Sequence, residues 1–210
     1  MNTINKDKQE KLSPLDVLNM LKDGNQRFIN NLKANRNLLS QVNQTSDGQF
    51  PVAAILSCID SRTSAELIFD QGLGDVFSIR IAGNILNEDI LGSMEFACLV
   101  AGAKLIVVMG HTRCGAINGA CDDVKLGHLT HLLSKLKPAV DKAKEKHQIH
   151  NSSNEEFVNE VSHIHIDLTI NNIKMKSQIL GDLIASKKVG IVGAYYNVTN
   201  GLVEFFDEEV

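Results

Sequence analysis

Four segments of strand length alternate along this 210-residue sequence with longer segments of helical periodicity. Three are apolar runs, for which we predict buried strands over Val52–Ser57, Lys104–Met109 and Val189–Ala194. The fourth, Asp75–Ile81, alternates apolar and polar residues and is also predicted to be a strand. A fifth segment, Leu202–Phe206, follows an Asn200-Gly201 turn and is predicted to pair antiparallel at the edge of the sheet. Strands that alternate with helices imply an α/β fold, with a mainly parallel central sheet of about four parallel strands plus the antiparallel edge strand, flanked by helices.

Between the strands, apolar residues recur at the spacing of amphipathic helices. The predicted helical segments are Leu15–Ala34, Ala65–Phe69, Ile85–Ala101, 113–121, Leu126–Lys146 and 155–186. Ser13, Pro14 and Asp16 supply a capping residue, a first-turn proline and a capping-box acid for the first of these helices. Residues 1–12 are expected to be frayed, and the polar stretch 35–48 is expected to be a loop.

The N-terminal helical region, residues 1–34, has one apolar face that allows two interpretations. The helix can pack on the core of its own chain, or it can lie as an arm across a partner subunit. The hydrophobic pattern alone does not separate the two.

Chemically reactive side chains follow the first and third strands at the point where each strand ends. Cys58, Asp60 and Arg62 come after the first strand, and His111 and Cys114 come after the third. In open α/β sheets, ligands bind at the carboxyl ends of the strands. Thiolate and imidazole are ligands that zinc prefers, and carboxylate is also accepted. The sequence therefore predicts a zinc site formed by Cys58, Asp60, His111 and Cys114.

The composition is that of a globular protein with a single domain over residues 1–210. Hydrophobic residues make up 43% of the chain, no apolar run is long enough to span a membrane, and the net charge of −4 argues against a nucleic-acid-binding surface. The N-terminus has no apolar segment typical of a signal peptide. We therefore expect a cytoplasmic protein whose thiols stay reduced.

No functional role is predicted for the cysteines and histidines outside the predicted zinc site. Cys98 lies in an apolar helical stretch and is expected to pack in the core, whereas no role is predicted for Cys121. The other histidines have no ligand-like companions and are expected on solvated or packed faces: His128, His131, His147, His150, His163 and His165.

Cys58-x-Asp60-x-Arg62 and, about fifty residues later, His111-x-x-Cys114-Gly resemble the two split motifs of the β-class carbonic anhydrases. Other landmarks of that family also match, namely Gly24–Phe28, Ala82–Asn84, Gly193–Tyr196 and Gly201–Val203. The resemblance extends from about Leu15 to Phe206, nearly the whole chain. Two such motifs in order, each at the end of a predicted strand, are far more specific than a Cys-x-x-Cys pair alone.

The resemblance implies a zinc lyase, with one zinc per chain, that reversibly hydrates CO2 to bicarbonate and a proton. Zinc held by two cysteines and one histidine can exchange a weak fourth ligand for water and lower the pKa of that water to about 7, which yields a hydroxide nucleophile at neutral pH. The resemblance further implies that Phe77 and Phe96 form the aromatic wall of the CO2 slot. Gln49 would supply a hydrogen-bonding amide, and the amide of Gly115 would lie beside bound substrate. Spacing alone would place Phe77 and Phe96 in the core.

Asp60 can take either of two positions, and both occur in the family. As the fourth zinc ligand, Asp60 would block catalysis. Paired with Arg62 through a bidentate ion pair, it would leave the metal free for water and could orient the nucleophile by accepting a hydrogen bond. Lysine could not replace Arg62 because it lacks the planar fork of a guanidinium group.

Three departures from the family pattern bear on the site. Thr63 stands where many members carry an apolar residue, and Ala82 is smaller than the residue that often lines the pocket, so the shape of the slot can differ. The sequence contains no tryptophan, which argues against the tryptophan-dependent bicarbonate regulatory site of some members. This absence favours a site that is open at neutral pH.

The resemblance also favours the arm interpretation of the N-terminal helix. It implies a homo-oligomer, with a dimer as the minimal unit and a tetramer as the larger alternative. Gln49 lies nine residues before Cys58. An extended chain rises about 3.3 Å per residue, so Gln49 should lie roughly 30 Å from its own Cys58. Since the resemblance implies that Gln49 contacts substrate, we predict that it reaches the zinc of a neighbouring subunit across a two-fold interface.

Two other functions stay open beside CO2 hydration. The same fold can hydrolyse a related small molecule such as carbon disulfide, and the sequence does not fix the slot shape that would decide between the substrates. A non-catalytic, zinc-stabilised binding module is the alternative from a different class. Structural zinc sites, however, are usually closed by four Cys or His ligands, whereas one predicted ligand here is a displaceable carboxylate.

Overall fold

The computed structural model of the chain describes residues 3–210, without the side chain of Asp207. Its strands are β1 Ala53–Ser57, β2 Val76–Arg80, β3 Leu105–His111, β4 Gly190–Tyr196 and β5 Val203–Glu209. They form one sheet in the order β2-β1-β3-β4-β5. Strands β1 to β4 are parallel, and β5 runs antiparallel to β4. The predicted α/β fold, with a mainly parallel sheet and an antiparallel edge strand, is therefore confirmed.

Helices lie on both faces and at the ends of this sheet. They are α1 Lys6–Lys11, α2 Pro14–Ile29, α3 Leu38–Gln44, α4 Ala65–Ile68, α5 Glu88–Glu95, α6 Gly115–Cys121, α7 Gly127–Ser134, α8 Lys137–Ala143, α9 Glu155–Lys176 and α10 Gln178–Ala185. A 3-10 turn over Ala82–Asn84 follows β2, and α5 continues into a π-helical turn over Phe96–Val100. None of the helices in residues 3–210 is long and apolar enough to cross a bilayer.

The expectation of a frayed N-terminus is wrong for residues 3–12, while residues 1 and 2 lie outside the described part of the chain. The backbone N–H of Ile4 donates to Asp75 Oδ1 at 3.0 Å, and the buried amide of Gln9 donates to Pro51 O at 2.7 Å. Polar side chains thus anchor this segment to the start of β1 and to the loop before β2, which an analysis of hydrophobic spacing does not detect.

The stretch 35–48 was expected to be a loop, but it contains helix α3. The side chain of Asn37 caps this helix by accepting from the backbone N–H of Ser40. The buried residue of α3 is Gln41, whose Oε1 accepts from Leu73 N–H at 3.2 Å. Because a polar side chain makes the inward contact, the helix has no apolar face toward the core to reveal it.

Several helix boundaries also differ from the predictions. Helix α2 ends at Ile29 rather than Ala34. The predicted helix Leu126–Lys146 is two helices, α7 and α8, with Pro138 in the first turn of α8. The segment 155–186 divides at Ser177, which ends α9 and caps α10 through its side chain. The helix predicted over Ile85–Ala101 begins at Glu88 and becomes π-helical at Phe96.

Side chains alternate between the two faces of the sheet, as expected for strands. On one face, Ile55 and Val107 pack against Val17, Leu18 and Leu21 of α2. Helix α2 therefore packs on its own core. Contact of this helical region with a partner subunit stays a prediction.

The opposite face of the sheet is covered mainly by α5, α9 and α10. Leu56 and Val108 lie on this face in a second cluster with Met94, Ile166 and Leu180. A third cluster closes the carboxyl end of the sheet, and it includes the two cysteines of the predicted metal site, which are Cys58 and Cys114.

Candidate metal centre and active site

The reactive side chains emerge at the one place where the strand order reverses. Strands β1 and β3 are neighbours, but the connection from β1 leads to β2 on one side and that from β3 leads to β4 on the other. In parallel sheets this switch point opens a crevice at the carboxyl ends of the strands. Cys58 follows β1 directly, His111 is the last residue of β3, and Cys114 is the N-cap of α6.

Cys58, His111 and Cys114, the ligand trio, converge in this crevice. All three are buried, and one donor atom from each lies within 4.8 Å of the other two. The sulfur atoms of Cys58 and Cys114 are 3.9 Å apart. Two sulfurs and one imidazole nitrogen at this separation match the donor set of a zinc site.

The orientation of His111 also fits a metal. Its Nδ1 lies 2.9 Å from the carbonyl oxygen of Thr112, so the ring donates there as the Nδ1–H tautomer. Its Nε2 is buried and has no hydrogen-bond partner among residues 3–210. A buried lone pair without a partner is costly unless a ligand or ion uses it. A backbone carbonyl that fixes the second ring nitrogen is the usual support of a metal-binding histidine.

The contact between the two thiols shifts their pKa values in opposite directions. Their contact lowers the pKa of Cys58 and raises that of Cys114, because one sulfur retains the proton that the other gives up, and burial opposes ionisation of both. The backbone N–H of Gly83 donates to the sulfur of Cys58 at 3.3 Å. Gly83 has φ +65°, a backbone conformation that favours glycine, and an added Cβ would lie 3.1 Å from Ala116 Cβ. Both features favour glycine at this position.

Asp60 faces Arg62 and is outside the ligand trio. Arg62 donates from Nε to Oδ1 at 2.9 Å and from Nη2 to Oδ2 at 2.8 Å, and its backbone N–H donates to Oδ1 at 3.0 Å. These hydrogen bonds hold the pKa of Asp60 well below its ordinary value. Of the two positions open to Asp60 from the sequence, the structure has the one paired with arginine.

Two further residues hold the loop that carries Asp60, and the sequence analysis gave neither of them this role. Arg80 donates to the backbone carbonyls of both Cys58 and Asp60, and the hydroxyl of Thr63 lies within hydrogen-bonding distance of the same two oxygens. Arg80 is the last residue of β2, and the sheet register places it beside Ser57. That register is the signal that could have identified Arg80, but it depends on strand pairing, which a single sequence does not reveal.

The other predicted site residues fall into two groups. Gly115 begins α6 directly after Cys114, and the space around its Cα is open. Gln49 is exposed and lies before the amino end of β1, with its Cβ near Gly74. The ligand trio lies at the other end of the strand, so the structure does not bring Gln49 to the metal ligands of its own chain.

Phe77 and Phe96 lie together at the free edge of β2. Their ring centroids are 6.2 Å apart in an edge-to-face arrangement. They line a cavity of about 750 Å³ whose lining includes none of the ligand trio. Phe96 is 51% exposed. The assignment to the core that spacing alone suggested is therefore wrong for Phe96.

Comparison with known proteins supports the family suggested by the motifs. Residues 53–203 match the family model described as carbonic anhydrase. The chain is 34% identical over 196 residues to carbonic anhydrase 2 of Mycobacterium tuberculosis, covering 90% of this chain and 91% of that protein. It is 31% identical over 199 residues to the carbonic anhydrase of Mycolicibacterium smegmatis, covering 91% and 93% respectively.

Solved structures share the fold. The β-carbonic anhydrase CafA of Aspergillus fumigatus superposes with a TM-score of 0.72 at 22% identity, covering 80% of this chain and 81% of that chain. The two tetrameric β-carbonic anhydrases of Sordaria macrospora are represented by a match with a TM-score of 0.69 at 22% identity, covering 80% and 90%. The family model spans most of the chain, and two relatives above 30% identity span nine-tenths of it, so this protein belongs to the β-class carbonic anhydrases.

Proposed function

We propose that this carbonic anhydrase hydrates CO2 reversibly with one zinc ion per chain, held by Cys58, His111 and Cys114. The observation that carries the proposal is the buried His111 Nε2, which has no hydrogen-bond partner in the described chain and points to a ligand beside two thiols. A bound zinc would supply Lewis acidity and a water molecule that is nucleophilic at neutral pH.

The residues around the ligand trio would prepare the nucleophile and the substrate. Asp60 is ionised because Arg62 lowers its pKa, so its carboxylate can accept a hydrogen bond from the attacking water and orient it. Its pairing with Arg62 keeps the carboxylate from occupying the fourth coordination position. Gly115 lies in the first turn of α6, and the space beside its Cα is open, so its backbone N–H could donate to a substrate oxygen.

We also propose that a second subunit completes the substrate slot. Gln49 lies at the strand end opposite the ligand trio, and Phe77 and Phe96 line a separate cavity at the exposed edge of the sheet. All three could serve CO2 binding at a partner's metal across a two-fold axis. The tetrameric relatives from Sordaria macrospora are consistent with a homo-oligomer, for which we propose a dimer as the minimal unit.

The alternatives receive less support. A structural zinc site is usually closed by four Cys or His ligands, whereas three such donors converge in the described part of this chain and the nearby carboxylate is held by arginine. Hydrolysis of carbon disulfide would use the same residues, and no observation favours it. A cytoplasmic location, which would keep the thiol ligands reduced, stays a prediction from the sequence.

A comparison of the two substrates tests this proposal. A single zinc-quantified preparation should be assayed by stopped flow for CO2 hydration and separately for release of sulfide from carbon disulfide. We expect CO2 hydration well above the buffer rate and little release of sulfide. Rapid turnover of carbon disulfide with CO2 hydration at the buffer rate would favour the alternative substrate.

A further inference from the structure

The backbone carbonyls of Cys58 and Asp60 are held by the same two side chains. Thr63 Oγ1 lies 2.9 Å from each of the two carbonyl oxygens. Arg80 donates from Nε to Cys58 O at 3.1 Å and from Nη2 to Asp60 O at 2.6 Å. Thr63 belongs to the metal-site loop itself, whereas Arg80 reaches it from the end of β2. One donor therefore fixes the loop internally and the other ties it to the sheet.

The two side chains are not redundant. A hydroxyl group carries a single proton, so Thr63 can donate to only one of the two carbonyls at a time. The guanidinium of Arg80 has several donors in a rigid fork and can satisfy both carbonyls together. Among the residues that the structure describes, Arg80 forms no ion pair, and its guanidinium donates to these two carbonyls.

These contacts restrain Asp60 from both sides. The carbonyl of Cys58 lies in the peptide that joins Cys58 to Ile59, and the carbonyl of Asp60 lies in the peptide that follows Asp60. The two anchored peptides therefore bracket the short segment that carries Asp60 and limit its movement. Thr63 is only 1% exposed, so water cannot readily replace its hydroxyl as a donor. A carbonyl oxygen has two lone pairs, so losing the Thr63 hydroxyl leaves one of them unpaired in such surroundings even where Arg80 still donates. The desolvation cost of that lone pair favours other conformations of the loop.

We propose that Thr63 and Arg80 are positioning residues, which hold the backbone at Asp60 so that its carboxylate pairs with Arg62 and stays out of the ligand trio. This inference rests on the proposed function, because the direction of the carboxylate matters only if a metal binds to that trio.

Cobalt-substituted protein allows a test that does not depend on turnover. A cobalt ion on the ligand trio binds azide only where a coordination position is open, and binding changes its visible spectrum. In the wild type, where Asp60 is held by Arg62, we expect azide to change the spectrum. In Thr63→Val, which has a similar shape but no hydroxyl, we expect one cobalt per chain, about tenfold weaker azide binding and about tenfold lower kcat for CO2 hydration.

Two matched variants complete the experiment. Thr63→Ser keeps the hydroxyl and should return azide affinity and kcat close to wild-type values. If only the shape of Thr63 mattered, Thr63→Val would already have those values. Arg80→Lys keeps the charge but loses the fork, and it should weaken azide binding in the same direction as Thr63→Val. Arg80 is exposed to solvent, so this second variant is expected to fold even if Thr63→Val does not.

The outcomes separate this inference from the proposed function. Folded Thr63→Val and Arg80→Lys proteins that bind azide as tightly as the wild type would overturn the positioning role while leaving CO2 hydration intact. A wild-type protein that takes up no metal on the ligand trio, or that does not hydrate CO2, would instead overturn the proposed function.

Discussion

Arg62 and Asp60 form a bidentate ion pair across a single intervening residue. The guanidinium donates to both carboxylate oxygens, at 2.9 Å and 2.8 Å, and the backbone N–H of Arg62 adds a third hydrogen bond at 3.0 Å. Because both oxygens are engaged, the carboxylate is directed toward Arg62. The pair is partly exposed, so it contributes to the orientation of the Asp60 carboxylate more than to the free energy of unfolding.

Removing the guanidinium should therefore release Asp60. We expect Arg62→Ala to keep one zinc per chain but to lose more than about tenfold in kcat, because the freed carboxylate can take the fourth coordination position. Arg62→Lys should restore activity only in part, since an ammonium group cannot hold both oxygens in a planar fork. Metal analysis and stopped-flow kinetics on both variants check this prediction, and an Arg62→Ala protein with the wild-type rate would contradict it.

The proposed zinc ligands can be tested by replacing the sulfur atom of one cysteine. Cys114→Ser should lose most of the zinc, because a serine hydroxyl is a much poorer zinc ligand than a thiolate. Cys98→Ser and Cys121→Ser are matched controls, since both cysteines are buried but lie outside the ligand trio. Both controls should retain zinc in elemental analysis. Full zinc occupancy in Cys114→Ser would show that the assignment of this ligand is wrong.

The proposed sharing of each active site between two subunits predicts complementation between two inactive variants. Gln49→Ala and Cys58→Ala should each be nearly inactive alone. In a mixed dimer, one site would combine the intact trio of the first chain with the intact Gln49 of the second. Random pairing in co-expressed protein should therefore restore roughly a quarter of the wild-type activity. Mixed samples that are no more active than their parents would show that Gln49 does not act across the interface.

Buried His165 should make the protein less stable in mild acid. Burial lowers the pKa of His165 from its ordinary value of 6.5 to about 4, against the opposing effect of the backbone of Asn84 and Gly83. The unfolded chain then binds a proton that the folded chain does not, so this contribution is present above pH 6.5 and is lost as the pH falls toward 4.

The size of this effect can be measured by urea unfolding. Between pH 7 and pH 5, the loss of unfolding free energy should be about 2 kcal/mol smaller in His165→Asn than in the wild type. The exposed His128→Asn variant is the control and should keep the wild-type pH dependence. An unchanged pH dependence in His165→Asn would contradict the prediction that His165 is neutral in the folded protein.

The sequence predicted the parts of the fold that depend on apolar periodicity and on strand ends. The five strands and the convergence of Cys58, His111 and Cys114 follow from such local patterns, because a buried strand and the residues after it are contiguous in the chain. Helix α3 and the ordered N-terminal segment were not predicted. Their inward contacts are made by the polar side chains of Gln41 and Gln9, which leave no apolar periodicity to detect.

The residues that hydrogen-bond to the site could not be predicted from a single sequence, for a different reason. Arg80 holds the carbonyl of Asp60 from 20 residues away, and Gly83 donates to a sulfur atom 25 residues earlier in the chain. Both contacts depend on the register between β1 and β2 and on the turn that follows β2. Residue types alone show neither.

If the ligand trio holds the zinc at which CO2 is hydrated, the hydration rate should follow the amount of zinc bound. Metal-free protein should be titrated with zinc, with CO2 hydration followed by stopped flow at each addition. We predict that the rate rises in proportion to bound zinc and stops rising at one zinc per chain, and that metal-free Cys114→Ser stays near the buffer rate throughout. A rate that does not depend on zinc, or an equal response from Cys114→Ser, would contradict the claim.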